Sequence, residues 1–322
     1  MPKIIGDRCP HMPWEERPSG SHEVVWRSAR NPIIGRNPVP GVARIFNSAI
    51  VPYEKAFIGV FRAETDRTFP ELRIGFSQDG YHWEIADQAI AFENADNEQY
   101  AYDPRVVRIR DTYYITWCTD YHGPTIGLAE TKDFKRFRRL ENAFLPYNRN
   151  GVLFPRKIRG RYVMLSRPSD SGHTPFGDIF LSESEDLEFW GRHRHVMAKG
   201  QSGWWENLKI GGGPAPIEID EGFLLFYHGV TETCNGFVYS MGAALLDRER
   251  PECVKHRAAS YCLTPEESYE VSGFVPNVVF PCATVQDAET GRIAIYYGAA
   301  DTYTALAFTT LAGIISFIKG EN

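Results

Sequence analysis

The feature that most constrains this chain is a recurrence. Five short runs rich in aromatic and β-branched residues, at 57–62, 113–118, 162–167, 223–228 and 293–298, end about 50–70 residues apart. Upstream of each lies a partner run: Asn47-Ser48-Ala49-Ile50, Asp103-Pro104-Arg105-Val106, Phe154-Pro155-Arg156-Lys157, Gly213-Pro214-Ala215-Pro216 and Phe280-Pro281-Cys282-Ala283. A third element recurs after the second run. Ser77-Gln78-Asp79 with Trp83, Thr131-Lys132-Asp133 with Phe137, and Ser184-Glu185-Asp186 with Trp190 each set an aromatic four residues after an Asp. Such an Asp caps a turn through the backbone, and the aromatic packs between layers. Sustained 3.6-residue periodicity is nearly absent outside the last dozen residues. The pattern predicts an all-β chain. A five-bladed β-propeller accounts for the spacing better than a two-sheet sandwich does.

Residues 1–40 are rich in proline and arginine, with Trp14 and Trp26 as apolar anchors. They read as an irregular N-terminal arm packed on the body or on a neighbouring subunit, a reason to expect a homo-oligomer. Residues 41–322 form the single propeller domain, ending in a short C-terminal segment.

Composition narrows the function classes. Apolar residues at 43%, with 20 Phe, 16 Tyr and 7 Trp, describe a folded protein rather than a disordered one. A net charge of -6 argues against a nucleic-acid binder. No run approaches the roughly 18 apolar residues of a membrane span. Lys3, Asp7, Glu15 and Glu16, with Pro10 and Pro13, interrupt any signal-peptide core, so a cytoplasmic protein is expected. The six cysteines contain no CxxC pair and are expected to be buried free thiols. His122, His173, His193, His195 and His256 show no HExxH spacing, and no calcium loop, nucleotide fingerprint or GxSxG occurs. No metal and no cofactor is expected.

In a propeller the first strand of each blade lines the central channel, so equivalent positions converge. The polar residues there are Asn47 and Ser48, Asp103, Arg149 and Asn150, Lys209 and, later, Asp301. The ends of the second strands add Arg62, Arg167 and His228. Singly, each has a structural reading. Asp103 before Pro104 initiates a turn, Arg62 and Arg167 pair on the surface, and His228 is a core histidine. Lys209 precedes Gly211-Gly212-Gly213, the reverse of the order in a phosphate-binding loop. At equivalent positions of a repeat, three arginines, a lysine and a histidine around Asp103 form a set that would hold an anion, and guanidinium forks match phosphate oxygens.

Longer motifs carry a resemblance. Ile45-Phe46-Asn47-Ser48-Ala49, Gly59-Val60-Phe61-Arg62, Tyr102-Asp103-Pro104-Arg105, Asn148-Arg149-Asn150-Gly151-Val152-Leu153-Phe154-Pro155, Ser166-Arg167-Pro168-Ser169, Tyr227-His228-Gly229-Val230 and Tyr297-Gly298-Ala299-Ala300-Asp301 are similar to those of glycoside hydrolase family 130, the mannoside phosphorylases. The resemblance spans essentially the whole chain. It is nearest to the branch acting on β-1,4-mannosides, either mannooligosaccharides or mannosyl-N-acetylglucosamine. It implies a five-bladed propeller that cleaves with inorganic phosphate as co-substrate, inverting the anomeric carbon to give α-mannose 1-phosphate. It also implies Asp103 as general acid, acting through the 3-hydroxyl of the mannosyl unit. Arg149, Arg167, Lys209, His228 and Tyr239 match the phosphate group; Asn47, Ser48, Arg62, Arg67, Tyr102, Asn150 and Asp301 match sugar-lining positions.

Elementary chemistry agrees. An inverting hydrolase needs a second carboxylate to activate water, about 6.5–9.5 Å from the acid. Phosphate is already an anionic nucleophile and needs cations to hold it, plus one proton donor. The alternatives are an inverting β-mannosidase, with Asp301 or a carboxylate of the 64–66 segment as base, and a non-catalytic carbohydrate-binding propeller. Acceptor choice is assigned to the loops 63–69, 120–124 and 169–176, above all to Glu64-Thr65-Asp66-Arg67.

Overall fold

A computed structural model of the chain describes residues 2–95, 100–170 and 176–321. Five sheets of four or five strands make up the five blades. The first blade runs through Val42–Tyr53, Ala56–Thr65, Pro70–Ser77 and Glu84–Ala89. The second comprises Ala101–Ile109, Thr112–Thr119, Thr125–Thr131 and Phe137–Leu140, with Phe92–Glu93 added in parallel at its edge. Asn148–Leu153, Tyr162–Pro168, Ile179–Ser184 and Trp190–Met197 form the third. The fourth is Lys209–Gly212, Gly222–Thr233, Gly236–Leu246 and Val254–Arg257, with Ile217–Ile219 as an extra piece on the second strand. Val279–Gln286, Arg292–Ala299 and Tyr303–Thr310 make the fifth, and Trp26–Arg27 pairs with Tyr303–Thr310 as its outer strand.

All five predicted runs are second strands, and their β-branched and aromatic side chains are buried, apart from the half-buried Tyr162. Phe57, Phe61, Ile115, Leu165, Phe223, Leu225, Ile293 and Ile295 are each at most 1% exposed. Each such side chain contributes roughly 1.5–3 kcal/mol on leaving water. All four proline-containing partner runs lie elsewhere than expected or break their strand. Residues 154–157 follow the inner strand Asn148–Leu153, and 213–216 follow Lys209–Gly212. Proline offers no ladder N–H. At Pro281, retained within its strand, the register shifts.

The Ser/Thr-x-Asp elements lie one strand later than expected, joining third to fourth strands. Asp79 Oδ1 accepts from the backbone N–H of Tyr81 and His82 at 2.8 and 2.9 Å. Asp133 does the same for Lys135 and Arg136, and Asp186 for Glu188 and Phe189. The Trp83 and Trp190 indole N–H groups close the turns on the carbonyls of Gly80 and Leu187. Asp247 caps the corresponding turn of the fourth blade from Glu249 and Arg250, without the preceding hydroxyl that made the others legible.

The N-terminal stretch lies on its own body. Trp14 and Trp26 pack edge-on against each other, with Trp14 also against Phe308, and Ile4 bridges to Ile219. At the other end Leu311–Lys319 forms a helix capped by the Thr310 hydroxyl and ended by Gly320 in the left-handed conformation. Leu311, Ile314, Ile315 and Ile318 give it one buried stripe. None of the helices described is long and apolar enough to cross a membrane. The cysteines are free; Cys9, Cys118 and Cys282 are buried, but Cys234 is exposed, contrary to the expectation of burial, because it sits at the tip of the 233–236 hairpin turn.

Candidate active site

Three inner strands carry the same irregularity at the same place. The ladder slips between Phe46 and Ala49, between Tyr102 and Arg105, and between Arg149 and Val152. Asn47, Asp103 and Asn150 sit in these bulges with φ of 50°, 52° and 53°. A left-handed non-glycine residue costs about 1–2 kcal/mol, and bulges of this kind re-aim side chains next to functional sites. Asn47, Asp103 and Asn150 are the residues so re-aimed. The close packing that follows needs glycine at two facing positions. A Cβ on Gly298 would lie 1.8 Å from Asn47 Oδ1, and one on Gly211 would lie 2.5 Å from the His228 ring and 2.8 Å from Asn150 Oδ1.

One wall of the site is internally neutralised. Asp103 Oδ1 accepts from Arg62 Nη1 at 2.7 Å and from Asn47 Nδ2 at 2.8 Å. Arg62 Nη2 also donates to Glu64 Oε1 at 2.5 Å, and Arg44 Nε donates to Glu64 Oε2 at 2.7 Å. The Arg62 guanidinium lies over the Phe46 ring at 4.1 Å and over Tyr102 at 5.1 Å. Burial opposes its charge, but Asp103, Asp301 and Glu64 together hold its pKa above the usual value. Burial pushes the Asp301 carboxyl up to about 6; Arg62 pulls it down, while Asp103 and Glu64 push it further up. Asp103 is therefore one of three acids here. Glu64 and Asp301 share its wall, because ring closure brings the end of a second strand in the first blade and a turn of the fifth blade to it.

The other wall is cationic and not neutralised. Arg149 and Arg167 are direct partners across Asn148–Leu153 and Tyr162–Pro168, an arrangement of like charges that is destabilising by itself. Arg167 is buried, and its Nε donates to the Ser169 hydroxyl at 3.0 Å. Its Nη1 lies 3.1 Å from His228 Nε2. A guanidinium can only donate, so Nε2 accepts and the imidazole proton is on Nδ1, which is buried without a partner. Burial, then Arg167, Arg105 and Lys209, hold His228 well below the usual imidazole range, so the ring is neutral. Burial and the Arg167 charge pull Lys209 down to about 8. Its Nζ lies 5.5 Å from the Tyr239 ring, and burial pushes the Tyr239 phenol up to about 12. Among the described residues, no carboxylate pairs with Arg149, Arg167 or Lys209.

The two walls act on the same groups. Asp301 and Asp103 from one and Arg167 from the other all influence the Tyr239 phenol, and Asp103 and Arg149 both influence the buried Cys118 thiol. Tyr102 bridges them with its ring, 5.1 Å from the Arg62 guanidinium and 6.0 Å from that of Arg149.

The structure thus gathers Asn47, Arg62, Tyr102, Asp103, Arg149, Asn150, Arg167, Lys209, His228, Tyr239 and Asp301. Two predicted residues stand apart. Ser48 is fully buried and turns its hydroxyl to the Phe46 carbonyl of its own strand. Arg67 is exposed on the hairpin turn beyond Thr65, where Thr68 N–H bonds to the Thr65 carbonyl. Of the loop 169–176, residues 171–175, with His173, lie outside the described residues. Sequence reasoning missed Arg44, and it named Glu64 as part of an alternative base segment and of the acceptor loop, not as a partner of Arg62. An arginine opening the apolar run Ile45-Phe46 was the available signal for the first.

Comparison with known proteins shows the family and the fold. A family model of glycoside hydrolase family 130, described as beta-1,4-mannooligosaccharide phosphorylase, matches residues 6–320. A Ruminococcus albus protein, beta-1,4-mannooligosaccharide phosphorylase, is 54% identical, covering 99% of this chain and 98% of that one. A Thermoanaerobacter sp. protein, 1,2-beta-oligomannan phosphorylase, is 32% identical over 84% of this chain and 92% of its own length. Among solved structures, the Listeria innocua beta-1,2-mannobiose phosphorylase in complex with beta-1,2-mannobiose aligns with a TM-score of 0.82 at 27% identity, covering 92% of this chain and 99% of that one. With a family match over almost its whole length and a relative 54% identical from end to end, the chain belongs to glycoside hydrolase family 130.

Proposed function

We propose that the protein catalyses inverting phosphorolysis of β-1,4-linked mannosides, either mannooligosaccharides or mannosyl-N-acetylglucosamine. The observation that carries this reading is the wall of Arg149, Arg167 and Lys209, gathered with no carboxylate partner among the described residues. Burying charge without a partner is costly. Such a wall is explained by a dianion that completes it. A phosphate oxygen forms the new bond to the anomeric carbon, the glycosidic C–O bond breaks, and the leaving oxygen takes a proton delivered from Asp103. The products are α-mannose 1-phosphate and an acceptor shortened by one mannose. Arg149, Arg167 and Lys209 hold phosphate, with the His228 Nδ1–H and the Tyr239 hydroxyl as neutral donors. Asn47 and Arg62 orient Asp103, and Tyr102, Asn150 and Asp301 line the sugar. No cofactor enters this scheme.

The 54% identity to a relative named for β-1,4-mannooligosaccharides supports that linkage over the β-1,2 linkage named for the more distant relatives. Hydrolysis has a concrete base to offer, Asp301, but this group lies with Asp103 in the field of Arg62. The deciding measurement is product analysis with and without inorganic phosphate. Phosphate-dependent release of mannose 1-phosphate is expected; free mannose at an equal rate without phosphate overturns the reading.

A further inference from the structure

One buried charge beneath the site has no role in the scheme above. Arg105 is 3% exposed and has no carboxylate partner among the described residues. Its Nε donates to the Gly213 carbonyl of the fourth blade at 2.6 Å. Its Nη1 donates to the carbonyls of Pro104 at 2.9 Å and Asp103 at 3.3 Å. Its Nη2 is buried without a partner. The guanidinium lies 5.3 Å from the Phe280 ring, which in turn lies 4.4 Å from the His228 ring.

We propose that Arg105 is a positioning residue with two separable effects: its fork clamps the Asp103 bulge to the fourth blade, and its charge supports anion binding from below through the Phe280–His228 stack. The first effect follows from connectivity. Asp103 holds a left-handed conformation, and the donors that fix the carbonyls at this bulge come from a side chain anchored across the channel on Gly213. The second follows from the absence of a neutralising carboxylate among the described residues and from the contact of the guanidinium with Phe280, which packs on His228. Arg105 is one of the charges that keep His228 neutral, and so a donor through Nδ1 rather than a competing cation.

This inference rests on the phosphorolytic reading, and the two are tested apart. Arg105→Lys keeps the charge but cannot reproduce the planar fork; Arg105→Met removes both. Calorimetry with inorganic phosphate, steady-state kinetics and NMR titration of His228 are measured on both variants. In Arg105→Met, phosphate binding weakens severalfold, the His228 titration moves up, and kcat falls roughly 100-fold, the loss typical of about 1 Å misplacement of a reacting group. In Arg105→Lys, phosphate affinity and the His228 titration stay near wild type while kcat remains roughly 100-fold down. Equal phosphate affinity in the two variants overturns the charge effect, and wild-type kcat in Arg105→Lys overturns the clamp. Should Arg105→Met not fold, Arg105→Lys decides alone, since parallel loss or parallel retention of affinity and kcat overturns the proposal. A wild-type enzyme that turns over without phosphate overturns only the phosphorolytic reading; the kcat comparison and the His228 titration still decide the role of Arg105.

Discussion

The two walls of the site solve opposite problems with the same residue types. At the Asp103 carboxylate the buried side chains pair: Arg44 meets Glu64, and Arg62 meets both Glu64 and Asp103. On the other wall Arg149, Arg167 and Lys209 crowd together without a carboxylate partner among the described residues. The first wall is complete in the free protein, so its geometry is fixed before substrate arrives and the proton donor is held to one orientation. The second is complete only when an anion joins it. Preorganisation on one side and unspent attraction on the other are what an in-line displacement by phosphate needs.

Substitutions on the two walls should therefore behave differently, which offers ways to break the comparison. The largest effect is expected at Asp103. Asp103→Asn keeps the side-chain volume but removes the transferable proton, and kcat should fall about 10²–10⁴-fold. A rate near wild type removes Asp103 from the role. Next comes Arg62→Met, which strands Asp103 and leaves Glu64 with Arg44 alone, and should cost about 3–5 kcal/mol in denaturant unfolding. Arg167→Met should do the reverse. By relieving like-charge crowding it leaves the unfolding midpoint equal or higher, while the KM for phosphate rises about 10–100-fold, the worth of a charge-assisted hydrogen bond. If Arg167→Met destabilises as much as Arg62→Met, the walls are not different in kind.

The smallest and most specific effects are in pH dependence. Lys209 titrates at about 8. At low phosphate, turnover should fall as pH rises through about 8, and Lys209→Arg should carry the activity higher. On the other wall Asp301 binds its proton more tightly when folded, its pKa rising from 3.8 to about 6. A raised carboxyl pKa makes the folded state more stable at low pH, so stability falls as pH rises between about 4 and 6. Asp301→Asn should flatten the thermal midpoint across that window; an unchanged slope places the titration elsewhere.

Much of this was legible in the residues. Blade count follows from the spacing of the second-strand runs, since each blade must repeat a hydrophobic strand at a similar interval. Asp79, Asp133 and Asp186 could be read as turn caps because a cap bonds backbone only two or three residues away. Asp103, Arg149, Arg167 and Lys209 could be gathered because equivalent positions of a propeller converge. What failed was any statement about partners between blades. That Arg62 would join Asp103 and Glu64 could not be read, because Glu64 lies 39 residues before Asp103. Arg67 seemed as well placed as Arg62, yet the hairpin carries it outward.

The sequence by itself determined the all-β architecture, the number of blades and the family, because these depend on periodicity, turn chemistry and long motifs carried in local order. Only the tertiary structure decided which charges neutralise one another. A bulge with a left-handed residue breaks the two-residue alternation of a strand, so the directions of Asn47, Asp103 and Asn150 cannot be counted out along the chain. Closing five blades into a ring then sets the contacts between them, pairing Arg62 with Asp103 and Arg167 with His228.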